Sequence, residues 1–81
     1  MIAAALVSVA TMVRADACAA KLTADGKLVY AAVVAANPTQ QNLRETVEHQ
    51  ARELVFAGKI ARAEGRDNAT AAGECVRTRL Q

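Results

Sequence analysis

The stretch NLRETVEHQARELVFAGKI, residues 42–60, decides the fold. Leu43, Val47, Ala51, Leu54 and Val55 recur at steps of three and four, which is the period of one helical face rather than the alternation of a strand. The opposite face carries Arg44, Glu45, Glu48, His49, Arg52 and Glu53. Arg44–Glu48 and Glu48–Arg52 are one turn apart, and each such exposed pair is worth about 0.3 kcal/mol. Asn42, with Glu45 three residues on, reads as a capping box at the start. Gly58 follows Ala57 where a left-handed stop belongs, and Ile60 is placed to pack back on the helix end.

Working outward, Thr23 is a plausible N-cap with Asp25 in the first turn, where a carboxylate meets the positive end of the helix dipole. The helix it starts runs to Ala36, because Asn37 precedes Pro38 and the residue before proline avoids the α region. Leu22, Val29, Ala32, Val33 and Ala36 share one face, with Tyr30 and Val34 on another. A helix apolar nearly all round is either central or a self-association face, so Leu28–Ala36 is a candidate contact for a second copy of the chain. The rival reading of residues 28–34 is a buried strand. A third helix is predicted over Arg62 to Leu80, with Gly65, Ala69, Ala72, Val76 and Leu80 inward and Cys75 beside them. Gly65 and Gly73 each cost a helix about 1 kcal/mol relative to alanine, and read as points where another backbone comes close.

An 81-residue chain is at most one small domain, and twenty of its residues are alanine. Alanine favours helix while supplying little bulk to bury. Ten Lys and Arg are interspersed with eight Asp and Glu, and Trp is absent. This is not the concentrated basic patch with stacking aromatics of a nucleic-acid module. Two cysteines and one histidine fall short of the four ligands of a structural zinc site, and there is no CxxC or CxxCH, so no metal or other cofactor is expected.

Residues 2–13 are apolar apart from Ser8 and Thr11. A bilayer-spanning helix needs about 20 such residues, whereas a secretory signal needs fewer. Val13-Arg14-Ala15 presents small residues where a signal peptidase reads, and Ala15-Asp16-Ala17 is a second frame ending before Cys18. We therefore expect a signal peptide over 1–15, a mature domain over 16–81 and a periplasmic or secreted location. No Lys or Arg precedes the apolar run, which leaves a start upstream of Met1, or an ordinary N-terminal core helix, as the alternatives. Asp16 argues against lipidation of Cys18, because a lipobox wants a small or apolar residue there.

In an exported chain an even cysteine count reads as a disulfide, and the one intramolecular pairing is Cys18 with Cys75. The alternatives are two buried thiols or an intermolecular link through Cys18. Residues 16–81 hold only fourteen large apolar side chains, and small domains with thin cores usually need such a staple. Catalysis is not expected. Ser8, in the expected signal, is the sole serine, and a Cys–His pair with His49 fails once the cysteines are joined. Glu45, Glu48, Glu53 and Glu64 have the carboxylates of glycoside chemistry, but a chain of three short helices rarely frames a cleft. Asn68-Ala69-Thr70 matches a glycosylation sequon inside a predicted helix. The arginines at 62, 66, 77 and 79 read as helix-end charge and a solvated face.

The segments KLTADGKLVY (21–30), NLRETV (42–47), AGKIARAEGRDNA (57–69) and AAGEC (71–75) together resemble the layout of small exported all-helical proteins of Gram-negative bacteria with one disulfide. The resemblance spans Cys18 to Leu80 and brings no particular activity with it. There is also an architectural likeness to acid-stress periplasmic chaperones. The expectation is an all-α, three-helix bundle stapled by Cys18–Cys75 and preceded by a signal peptide. Its role is non-catalytic binding of a protein partner or envelope maintenance, with a self-associating structural subunit as the alternative. Neither nucleic acid nor stable membrane insertion of the mature chain is expected.

Overall fold

Thr23 sets the first long helix. Its backbone is extended, and its hydroxyl accepts a hydrogen bond from the Gly26 amide at 2.9 Å, as an N-cap should. The computed structural model describes residues 16–81; the expected signal peptide, 1–15, lies outside the described residues. Helix α1 is Ala24–Ala35, α2 is Leu43–Phe56 and α3 is Gly65–Leu80. Residues 16–20 are also helical and carry Cys18. No strand occurs among the described residues, and residues 28–34 lie inside α1, so the strand alternative falls.

The ends of the helices follow local chemistry, with two departures from expectation. Gly58 takes φ +72 after Ala57; its amide donates to Val55 O at 3.0 Å and the Lys59 amide to Leu54 O at 2.9 Å. These two bonds make the Schellman stop, and Ile60 is buried against the helix it ends. The first departure is at the start of α2. Asn42 does not cap through its side chain to Glu45. Its Oδ1 accepts from the Thr39 amide at 2.8 Å while the Asn42 amide donates to Thr39 Oγ1 at 3.2 Å. The reciprocal box is thus Thr39–Asn42, one turn upstream, because residues 40–42 already turn before the α-helix begins. The second is α3, which starts at Gly65 rather than Arg62. Asp25 Oδ2 accepts from the Ala61 amide at 3.0 Å, which holds the connection across the start of α1 before it can turn into helix. At the end of α1, Asn37 enters the left-handed region at φ 55, which asparagine tolerates, and the buried Pro38 follows.

Packing is centred on α3, which meets α1 most extensively and α2 next. The core is Val29 and Val33 from α1, Leu43, Val47 and Ala51 from α2, Ile60 from the connection, and Ala72 and Val76 from α3. Val29, Val33, Val76 and Cys75 are the largest side chains with almost no exposure, so the deepest layer is mostly valine. Leu54 and Val55, expected inward, are only half-buried. The bulk of α1 is spent inside, leaving Leu28 at 44% exposure with Ala31 and Ala35 on its outer face.

Cys18 and Cys75 are joined in a disulfide, their Cα atoms 5.5 Å apart across a sequence separation of 57. Cys75 is 1% exposed beside Val76, so the bond anchors segment 16–20 to the edge of the core. Asn68 is the one buried polar residue among the described residues. Thr23 Oγ1 donates to Asn68 Oδ1 at 2.6 Å while accepting from Gly26, so one hydroxyl ties the start of α1 to the first turns of α3.

The glycines divide differently from expectation. A Cβ on Gly26 would stand 3.2 Å from both Leu22 Cβ and Thr23 Oγ1, and neither can retreat without losing backbone position or the cap. On Gly73 a Cβ would meet Val47 Cγ2 at 3.4 Å and on Gly65 Val55 Cγ2 at 3.5 Å, which are ordinary contacts. Close approach is therefore required at Gly26 and not at Gly65 or Gly73. Gly73→Ala is expected to gain about 0.5–1 kcal/mol of helix propensity and raise the melting temperature, while Gly26→Ala lowers it. Circular-dichroism melts of the two variants check this; a higher melting temperature for Gly26→Ala contradicts the crowding at that position.

A second expectation concerns the staple. Replacing both cysteines by alanine releases a loop constraint of about 4 kcal/mol on the chain-entropy account. A core of this size alone supplies about 3–5 kcal/mol. The double variant, and the reduced wild type, should be largely unfolded at about 37 °C by far-ultraviolet circular dichroism. A melt coincident with that of the oxidised wild type would show that the valine layer suffices without the bond.

Candidate binding groove

Helices α2 and α3 run antiparallel in a register that three contacts fix. Gln40 Nε2 donates to Leu80 O at 3.2 Å at one end. Val47 faces Gly73 in the middle and Val55 faces Gly65 at the other end. On α3 the facing positions Gly65, Ala69 and Gly73 are one turn apart and nearly without side chains. The result is an open groove of about 1100 Å³ along the pair, to which α1 contributes no lining residue.

Its floor is apolar, from Leu43, Val47, Ala51 and Val55 on α2 and the small residues of α3. Its rims are charged. Along α2 the rim reads Arg44, Glu48, Arg52 and Phe56 at steps of four, which is why they stand in one line. Arg62, Arg66, Thr70, Glu74 and Arg77 form the facing rim. Phe56 is 70% exposed at the groove's end.

Five arginines and two glutamates thus line the groove. The rest of residues 16–81 holds Lys21, Lys27, Lys59 and Arg79 against Asp16, Asp25, Glu45, Glu53, Glu64 and Asp67. A chain close to neutral is divided into a basic groove and a slightly acidic remainder. Arg44 Nε lies 3.6 Å from Glu48 Oε1 with both side chains well exposed, a contact worth little in water. Among the described residues Arg52, Arg62, Arg66 and Arg77 make no ion pair.

The residues weighed for chemistry fall elsewhere. His49 is exposed, its Nε2 3.9 Å from Glu53 Oε1. With both cysteines consumed in the disulfide, no Cys–His pair forms. Glu48 takes part in the groove as a rim charge, while Glu45, Glu53 and Glu64 do not line it. Asn68, the sequon asparagine, is 8% exposed, with its Oδ1 engaged by Thr23 Oγ1 at 2.6 Å. No group of three His, Cys, Asp or Glu among the described residues is placed to hold a metal ion. No helix among them is long and apolar enough to cross a membrane. A shallower hollow of about 520 Å³ overlies the disulfide between Lys21 and Glu74.

Sequence reasoning places Arg44, Arg52, Arg62, Arg66 and Arg77 on solvated faces of separate helices. The groove exists only through the register of α2 against α3, and the one signal for it in the sequence is the four-residue spacing of Arg44, Glu48 and Arg52. Comparison with protein-family models, with curated proteins and with solved structures returns no match.

Proposed function

We propose that this chain is a small exported protein whose mature domain, residues 16–81, is a disulfide-stapled three-helix bundle that acts by non-catalytic binding in the periplasm or outside the cell. Envelope maintenance, including a chaperone-like role, is the setting that the resemblance to small exported helical proteins suggests. The observation that carries the reading is the concentration of arginine in the α2–α3 groove while the rest of the surface is slightly acidic. Charge gathered over an apolar floor, in a fold of marginal size, serves recognition better than stability, because exposed ion pairs add little to folding. The disulfide supports export, since such bonds persist in oxidising compartments. A second reading, self-association as a structural subunit, draws on the exposed apolar face of α1 at Leu28, Ala31 and Ala35.

Two measurements test this. The N-terminus of the protein recovered from outside the cytoplasm should be Asp16, or failing that Cys18; a cytoplasmic protein retaining Met1 removes the export argument. A photo-reactive side chain at Thr70, exposed on the groove rim, should cross-link a host protein in living cells, and the same group at Ala31 should not. His49→Ala should leave that product unchanged. Products from Ala31 alone, at twice the mass of the chain, would transfer the function to α1 and to self-association.

A further inference from the structure

Resting on the binding reading above, we infer that the groove receives one amphipathic helix of a partner protein, charged acidic–basic–acidic at successive turns. Helix α1 covers one side of the α2–α3 pair, and the groove is the place a further helix would take on the other. From Arg44 to Phe56 the groove runs twelve residues of helix, about 18 Å, which matches about three turns of an occupant. Gly65, Ala69 and Gly73 present almost no side chain, so an occupant must bring its own apolar bulk to the floor, as a helix does in helix-in-groove recognition.

The order of the charges chooses the partner. Arg44 and Arg77 stand at the end marked by the Gln40–Leu80 bond. Glu48 and Glu74 adjoin the Val47–Gly73 contact in the middle. Arg52, Arg62 and Arg66 gather at the end where Val55 faces Gly65. A uniform polyanion, such as nucleic acid or an anionic lipid surface, would meet the two carboxylates at the centre. A helix with Asp or Glu at i and i+8 and Lys or Arg at i+4 meets complementary charge at all three levels, because successive rim charges on α2 are also four residues apart.

The test uses the oxidised mature chain and synthetic peptides of about 18 residues, long enough for alanine- and leucine-rich sequences to be partly helical. One peptide carries Glu–Lys–Glu at i, i+4 and i+8 along the flank of an apolar stripe, where the rims lie when the stripe meets the floor; its partner carries Lys–Glu–Lys. Fluorescence anisotropy should show the first binding at least about ten-fold tighter than the second, with the preference shrinking as salt rises from about 0.05 to about 0.5 M. Arg52→Glu combined with Arg66→Glu should abolish or invert the preference while the circular dichroism stays native, both side chains being exposed. Equal binding of the two peptides, or binding of neither, overturns the inference. So does a DNA duplex or a phosphatidylserine vesicle that binds at least as tightly as the first peptide. Self-association abolished by the same double variant also overturns it, since a second copy would then be the occupant. A cross-link from Thr70 that persists when the peptides fail keeps the binding reading and removes only the partner chemistry.

Discussion

The Cys18–Cys75 bond is the constraint on which the rest depends. The largest fully buried side chains among the described residues are Val29, Val33, Val76 and Cys75 itself, and valine buries too little surface for such a layer to hold three helices with a wide margin. The bond acts on the unfolded chain, by closing a loop that spans nearly all of residues 16–81. It also fixes segment 16–20 against the edge of the core at Cys75. With that edge covered by covalent means, the α2–α3 face can be left with small residues instead of being packed for stability.

Noncovalent links at the start of α1 add to what the disulfide does. Thr23 caps α1 and reaches Asn68 on α3, and Asp25 holds the Ala61 amide in the connection before α3. Both residues come from the start of α1, so one short stretch of sequence positions the start of two helices. A carboxylate at this place has a second use as well, since it meets the positive end of the α1 dipole. The crowding around Gly26 belongs to the same arrangement: Leu22, Thr23 and Asn68 converge there, and only a residue without a side chain lets the Thr23 hydroxyl stay within reach of α3.

Signals confined to one helix are legible from the residues; those that depend on two helices meeting are not. The stripe Leu43–Val47–Ala51, the Thr23 cap and the Gly58 stop are local, and each appears where its chemistry predicts. The capping box falls one turn away from its expected place because Asn42 is a good cap residue in either frame, and only the preceding turn at residues 40–42 decides between them. Asn68 is invisible for a different reason. A polar residue on an alanine-rich helix reads as solvated unless its partner, Thr23, is known to lie opposite. Taken one helix at a time, the arginines of the groove read as charge balanced by neighbouring glutamates. That is right for Arg44 and Glu48 and misses that Arg52, Arg62, Arg66 and Arg77 face one channel.

Gly65 and Gly73 connect stability to the groove. Gly73, inside α3, costs the helix about 1 kcal/mol, whereas Gly65 opens it; neither is forced by packing, since an added Cβ would find ordinary contact with Val47 or Val55. What an added Cβ would change is the floor. With alanine at both positions, methyl groups would rise between α2 and α3 at the level of the central carboxylates and at the arginine-rich end. The groove would become shallower while its rim charges stayed in place. An occupant helix sits deepest where its partner backbone is barest, and its charged residues reach the rims only if its apolar face can descend to the floor. Glycine at these two positions therefore sets the depth at which Arg44, Arg52, Arg66 and Arg77 can engage another chain, and at Gly73 it does so at a cost to the stability of α3.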